Sequence, residues 1–149
     1  MKADSGVYAL LIHARTPQRI AIGALGPHEF PSGFYVYIGS AKVGLRSRIA
    51  RHRRRTKPLH WHIDYLLAHA RPVAVATFDW RRGAECRLAR LAGAREAAHG
   101  FVQGFGSSDC SCPTHLFRLC QEPGDSWVDS VFGRLPATLR IHHVTRFSP

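Results

Sequence analysis

The stretch Phe34-Tyr35-Val36-Tyr37-Ile38-Gly39 decides the fold. Every residue before its glycine is aromatic or β-branched, the side chains that pack best on a pleated surface, so it predicts a strand. Upstream, the Gly- and Pro-rich segment 26–33 reads as a loop. Segment 19–25 reads as a strand entered through a turn at Pro17 and Gln18, and 6–13 as another. Downstream, Gly44 and Pro58 bracket a helix that carries Leu45, Ile49 and His52 on one stripe. A second helix is expected over 60–69, with Trp61, Tyr65 and Leu66 on one face, then a buried strand over 72–80 and an Ala-, Leu- and Arg-rich helix over 84–98. A Gly, Ser and Cys loop over 104–113 precedes a strand over 114–120, and a helix over 126–132 and a strand over 138–144 follow. Strands and helices mixed in this order point to an α+β domain, an antiparallel sheet with helices packed on it.

The chain has 149 residues, which suits one domain over 1–149. With 45% hydrophobic and 21% charged residues, wholesale disorder is excluded. No apolar run approaches the roughly 18–20 residues that cross a bilayer. The apolar stretch Val7 to Ile12 is short and is followed by His13 and Arg15, a poor signal peptide, so a cytoplasmic location and no membrane partner are expected. In that reducing setting Cys86, Cys110, Cys112 and Cys120 are expected as thiols or metal ligands rather than disulfides.

Lys and Arg number 21 against 10 acids, a net charge of +11 that costs self-repulsion and suits a polyanionic partner, nucleic acid before a membrane surface. The charge is concentrated. No acid lies between Glu29 and Asp64, while Lys42, Arg46, Arg48, Arg51, Arg53, Arg54, Arg55 and Lys57 fall within sixteen positions. At 100° per residue Arg48 and His52 border the buried stripe and face a pocket, whereas Arg51 and Arg55 fall further out and Arg54 points to solvent. Such outer cations, with Lys42, Arg46 and Lys57, are candidates for phosphate contacts, which give affinity without reading sequence.

Two tyrosine-bearing strand motifs flank the start of this basic helix, Gly6-Val7-Tyr8 and Tyr37-Ile38-Gly39. With Arg48 eleven residues after Tyr37, then His52, and Glu85 on a later helix, the ordered set resembles the GIY-YIG nuclease superfamily. The longer pattern of FPSGFYVYIGSA, RHRRRTKPLHWHIDYLL, AEC and GFGSSDCSCPTHLF resembles its DUF123-type branch, found alone or fused to endonuclease III-type repair glycosylases. The resemblance covers about 5–120 and leaves 121–149 as an extension.

It implies a three-stranded antiparallel core, here elaborated, flanked by helices, and a site that cuts a phosphodiester with one Mg²⁺ or Mn²⁺. Carried over, Tyr8 activates or orients the attacking water, with Tyr37 beside it. Arg48 meets the charge that builds on phosphate oxygens, Glu85 is the sole protein ligand of the ion, and His52 is a second acid or base, with Lys42 and His62 as helpers. A phenol near pKa 10 is a poor base at pH 7 unless a cation lowers it. Two departures stand out. Tyr8 and Tyr37 are 29 positions apart, more than a strand and a turn, and the chain has no asparagine, so the family's late Asn would need a stand-in from Ser107, Ser108 or Asp109.

Cys86, Cys110, Cys112 and His115 offer three thiols and an imidazole, enough for a Cys3His zinc site. Cys-x-Cys is tighter than the usual ligand gap, so shielded packing thiols are the favoured reading and Zn²⁺ the lesser one. In His60-Trp61-His62-Ile63-Asp64, Trp61 reads as a core anchor, His62 as site-facing and Asp64 as an orienting partner or cap. The function expected is metal-dependent cleavage of DNA in repair or structure processing, with an endonuclease III-type glycosylase as a partner. The alternative is a non-catalytic nucleic-acid-binding module on the same fold that assists a repair enzyme. A zinc-stabilised interaction domain for RNA or ribosome contacts stands third.

Overall fold

The computed structural model describes residues 4–148, so residues 1–3 and 149 of the expected domain lie outside it. The strands are β1 (Gly6–Ala14), β2 (Gln18–Ala21), β3 (Pro27–Phe30), β4 (Gly33–Ala41), β5 (Arg71–Phe78), β6 (Ala98–Gly100), β7 (Leu116–Leu119) and β8 (Ile141–Arg146). The helices are α1 (Leu45–Arg53), α2 (His62–Leu67), α3 (Ala84–Gly93) and α4 (Trp127–Phe132). Six strands form one antiparallel sheet in the order β6-β7-β4-β1-β5-β8, and β2 pairs with β3 in a separate hairpin. The domain is α+β, as expected, with β4-β1-β5 at the centre of the large sheet.

Both faces of that sheet are covered. Val7, Ala9 and Leu11 of β1 join Val36 and Ile38 of β4 in a core closed by Leu88 of α3 and Trp127 and Phe132 of α4. Tyr8, Leu10 and Ile12 share the other face with Tyr35 and Tyr37, under Ile63 and Leu66 of α2, Ile20 and Phe30 of the hairpin, and Phe105. Two covered faces explain why β1 is an unbroken apolar run rather than an alternating one. Each large side chain buried here contributes roughly 1.5–3 kcal/mol.

Several boundaries differ from the sequence reading, among them the last strand, expected over 138–144 and found at Ile141–Arg146. Residues 27–30 are strand β3 rather than loop, because their backbone pairs with Gln18–Ala21 and Arg19 meets Glu29 across the hairpin at 2.7 Å. The strand expected over 19–25 ends at Ala21, where a 3-10 turn at Gly23–Leu25 reverses the chain. The helix expected to 98 stops at Gly93, since Ala98 pairs with Leu119 at the sheet edge and tertiary hydrogen bonds override the helix preference of an alanine-rich run. The helix expected over 60–69 is only His62–Leu67, its start held by Asp64, whose carboxylate accepts the N–H groups of His60 and Trp61 at 2.9 Å. The long spacing between the tyrosines is the hairpin itself, which leaves β1 and β4 paired without a break from Gly6↔Ala41 to Ala14↔Gly33.

Candidate functional site

Strand register builds the first half of the site. Tyr8 lies opposite Gly39, and Tyr37 opposite Leu10, so the two phenols are diagonal neighbours on one face with ring centroids 6.2 Å apart. Gly39 makes this possible: a Cβ there would stand 2.5 Å from the Tyr8 hydroxyl oxygen. Helix α1 then lays its inner stripe across the phenols. His52 Nε2 is 2.7 Å from the Tyr8 hydroxyl. One turn earlier, Arg48 Nη1 donates to the Ser40 carbonyl at 2.9 Å while its guanidinium stacks 4.4 Å from the Trp61 ring centre. Tyr8, Tyr37, Arg48, Glu85, Ser108 and Asp109 all line one cavity of about 460 Å³.

The electrostatics fix the protonation of this group. Burial raises the Tyr8 phenol above its ordinary value against the opposing charge of Arg48, and burial raises Tyr37 as well. Both are neutral phenols at pH 7. Burial also drives His52 down to about 4, so its ring is neutral. His52 Nδ1 is buried with no partner. A bare lone pair there costs less than a stranded N–H, which makes Nε2–H the donor to the Tyr8 oxygen and leaves the phenol O–H free to aim into the cavity. His62 is lowered by burial too, and its Nδ1 accepts the Gly106 N–H at 2.9 Å, tying the 104–113 loop to α2. Gly106 has a φ of +68°, and a Cβ on it would come 2.8 Å from the Tyr37 ring.

The outer cations separate into two groups. Arg51 Nη1 donates to Asp64 Oδ1 at 2.6 Å, its guanidinium stacks 4.6 Å from the Trp61 ring centre, and Asp64 is 0% exposed. Burial alone would raise the Asp64 carboxyl, but Arg51 and the two backbone donors hold it below its ordinary value. Lys57 donates to the carbonyls of His52 and Arg54 at the end of α1, and burial lowers its ammonium. Arg51 and Lys57 are therefore committed to the fold. Arg54 and Arg55 are exposed, Arg46 has a 91% exposed side chain that reaches Asp4 at 3.8 Å, and Lys42 lies 5.3 Å from the Trp80 ring centre. Trp61, expected as a core anchor, is half-buried between Arg48 and Arg51 and presents a wall to the cavity.

Next to the cavity, ligand atoms of Cys86, Cys110, Cys112 and His115 all lie within 4.8 Å of one another. Packing thiols were the favoured expectation; the structure aims an imidazole nitrogen among them, so the group can hold a metal ion. The Cys-x-Cys spacing works because residues 104–115 carry no helix or strand, and an irregular backbone turns both thiols inward. Burial and the two neighbouring thiols push the Cys86 thiol well up. Burial would raise Cys110 as well, but the Cys112 N–H and the adjoining thiols bring it down. Cys120 is exposed and apart, donating to the Glu96 carbonyl.

Glu85 joins the two regions. It opens α3 after Gly83, lines the cavity, and places Oε2 3.1 Å from Nδ1 of the fully buried His115. Burial would lower that imidazole, but Glu85, with Cys110 beside it, offsets it and the net shift is upward. Sequence reasoning did not find the contact of Glu85 with His115 or the double stacking on Trp61. The only signal for them was the presence of both AEC and CPTH, as separate motifs, in the quoted pattern and the aromatic ring inside HWHID.

Comparison with known proteins returned no matching curated protein and no matching solved structure. The model of one family, described as "Domain of unknown function DUF123", matches residues 7–135, and the chain belongs to that family.

Proposed function

We propose that this domain is a GIY-YIG-type endonuclease that hydrolyses phosphodiesters in nucleic acid with the help of one divalent cation. The observation that carries the reading is the convergence of Tyr8, Tyr37, Arg48 and Glu85, from two strands and two helices, on one cavity. Arg48 is already oriented by the Ser40 carbonyl and the Trp61 face, which leaves the rest of its fork for phosphate oxygens. The Tyr8 hydroxyl, backed by His52 at 2.7 Å, orients a water or a phosphate oxygen, and the pair can hold a proton at the phenol oxygen. Ser108 and Asp109 on the cavity wall supply the polar groups that the missing asparagine would give.

The carboxylates of Glu85 and Asp109 suit a hard ion such as Mg²⁺ or Mn²⁺, which keeps most of its waters when few protein oxygens bind it. Bound there, such an ion would neutralise phosphate charge and make a water more acidic. Arg46, Arg54, Arg55 and Lys42 supply sequence-independent attraction to a polyanion. DNA is the favoured polymer, repair or structure processing the favoured setting, and an endonuclease III-type glycosylase the favoured partner, all on the strength of the family resemblance.

The test is a panel of single-stranded, branched and damaged DNA and RNA oligonucleotides, with and without Mg²⁺ or Mn²⁺. Wild type is expected to cut, while Arg48→Ala and Glu85→Ala bind but lose at least about 100-fold in rate, the scale of deleting one transition-state contact. Equal trace cleavage by all three proteins would refute the enzyme reading. Retained, salt-sensitive binding would then leave the chain a nucleic-acid-binding module.

A further inference from the structure

We propose that Cys86, Cys110, Cys112 and His115 hold one Zn²⁺ in a closed tetrahedral site, and that His115, bound through Nε2, directs Nδ1–H at Glu85 and so positions it. The zinc site stands independently of the nuclease reading; only the use made of a positioned Glu85 rests on it.

Four observations carry the site. The cluster has four ligands and needs no water to complete it, the mark of a structural zinc site rather than a catalytic one. Three of the four are thiols, soft ligands that favour Zn²⁺ over the hard ion suited to the neighbouring cavity. Bond lengths of about 2.3 Å to sulfur and 2.05 Å to nitrogen give a tetrahedral S···N edge of about 3.6 Å. The Cys110 Sγ to His115 Nε2 separation is 3.5 Å. Finally, the site joins the first turn of α3 to a loop without regular structure, a place where a cross-link has most to hold together. Binding releases the thiol protons and leaves three thiolates and a neutral imidazole around the ion, a net charge of −1.

The coupling follows from the two nitrogens of one ring. Nε2 faces the thiols, and Nδ1 is buried with no well-aligned partner, its nearest carboxylate oxygen being Glu85 Oε2 at 3.1 Å. A metal on Nε2 fixes the tautomer with hydrogen on Nδ1, and that hydrogen has Glu85 to meet. One Glu85 oxygen is then held and the other is left for the cavity. This is the carboxylate–histidine–metal relay in which an outer carboxylate orients the ligand and strengthens its donation.

Full-length protein without a histidine tag, purified under reductant, is expected to carry about one zinc per chain by elemental analysis. After exchange, Co²⁺ is expected to give sulfur-to-metal charge-transfer and tetrahedral visible bands. Less than about half an equivalent of zinc, together with no such Co²⁺ bands, would overturn the site. Cys120→Ser, outside the cluster, should change neither result. His115→Cys supplies a fourth thiolate, so it should keep the metal and shift the Co²⁺ bands; unshifted bands would exclude His115 as a ligand. For the coupling, Glu85→Ala should weaken zinc about 10- to 100-fold in chelator competition, the usual cost of losing an outer-shell partner. Unchanged affinity would overturn it. None of these measurements reads cleavage, so a failure of the nuclease reading would be seen separately.

Discussion

The phenol-lined cavity and the thiol cluster touch the same carboxylate, yet they are assembled by opposite means. The cavity stands on β1 and β4, where nine consecutive residue pairs fix the phenols, and α1 adds Arg48 and His52 one turn apart. The cluster draws three of its four ligands from a loop of irregular backbone and the fourth from the first turn of α3. A site on paired strands is rigid because moving one side chain means slipping a register, which would turn every buried residue to the wrong face. A site on a loop has no such ladder and depends on what its own ligands bind.

That difference can be tested from the rigid side first. His52 titrates at about 4 in the folded protein against about 6.5 when exposed, so between these values the unfolded chain binds more protons. Its contribution is complete above pH 6.5 and is lost as pH falls towards 4, by at most about 3 kcal/mol. Urea unfolding from pH 7.5 to 4.5 should show this slope in wild type and a flatter one in His52→Gln. Identical slopes would mean that the buried ring is not what couples the cavity to pH.

Gly39→Ala comes next. The added Cβ meets a phenol that is buried and held by His52, so relief requires Tyr8 to move. A loss of about 1–3 kcal/mol, or roughly 3–9 °C in Tm, is expected, with zinc content unchanged. A simultaneous loss of zinc would show that the two regions are one cooperative unit. Gly106→Ala, on the loop that borders both regions, should cost about 1–3 kcal/mol through its positive φ and its contact with Tyr37. Because the loop can yield, metal affinity should change with it, whereas Gly39→Ala leaves it alone.

The smallest effect concerns the charged rim. Neutralising Arg54 and Arg55 together should weaken binding to a DNA oligonucleotide about tenfold at low salt and reduce the salt slope by about 2, while Tm stays within about 1 °C. Arg51→Ala should instead lower Tm, because it strands the buried Asp64 carboxylate. A reversed result would put the docking face at Arg51 rather than at Arg54 and Arg55.

Much of the rigid region was legible beforehand. The FYVYIG strand and the stripe of Leu45, Ile49 and His52 are local or periodic signals, whereas the placing of Tyr37 beside Tyr8 came only with the family resemblance. The hairpin was half missed, because Gly and Pro at 26–33 are turn signals that a short edge strand such as β3 also tolerates. Helical angle marks Arg51 and Lys57 as outer cations but cannot say that Asp64 and the end of α1 engage them. The grouping of the thiols is hidden for the same reason, since Cys86 and Cys110 are brought together only when α3 and the loop pack side by side.

By itself, then, the sequence determined the residue classes and their local order. These are apolar strands, a basic helix with one buried stripe, and the Gly- and Pro-rich turns between elements. Periodicity and steric fit act over a few residues, and so they can be read along the chain. The tertiary structure alone decided which cations remain free, which protonation states the buried phenols and imidazoles adopt, and that Glu85 stands between a cavity and a set of thiols. Burial and charge pairing depend on distances across the fold, and no spacing in the chain encodes them.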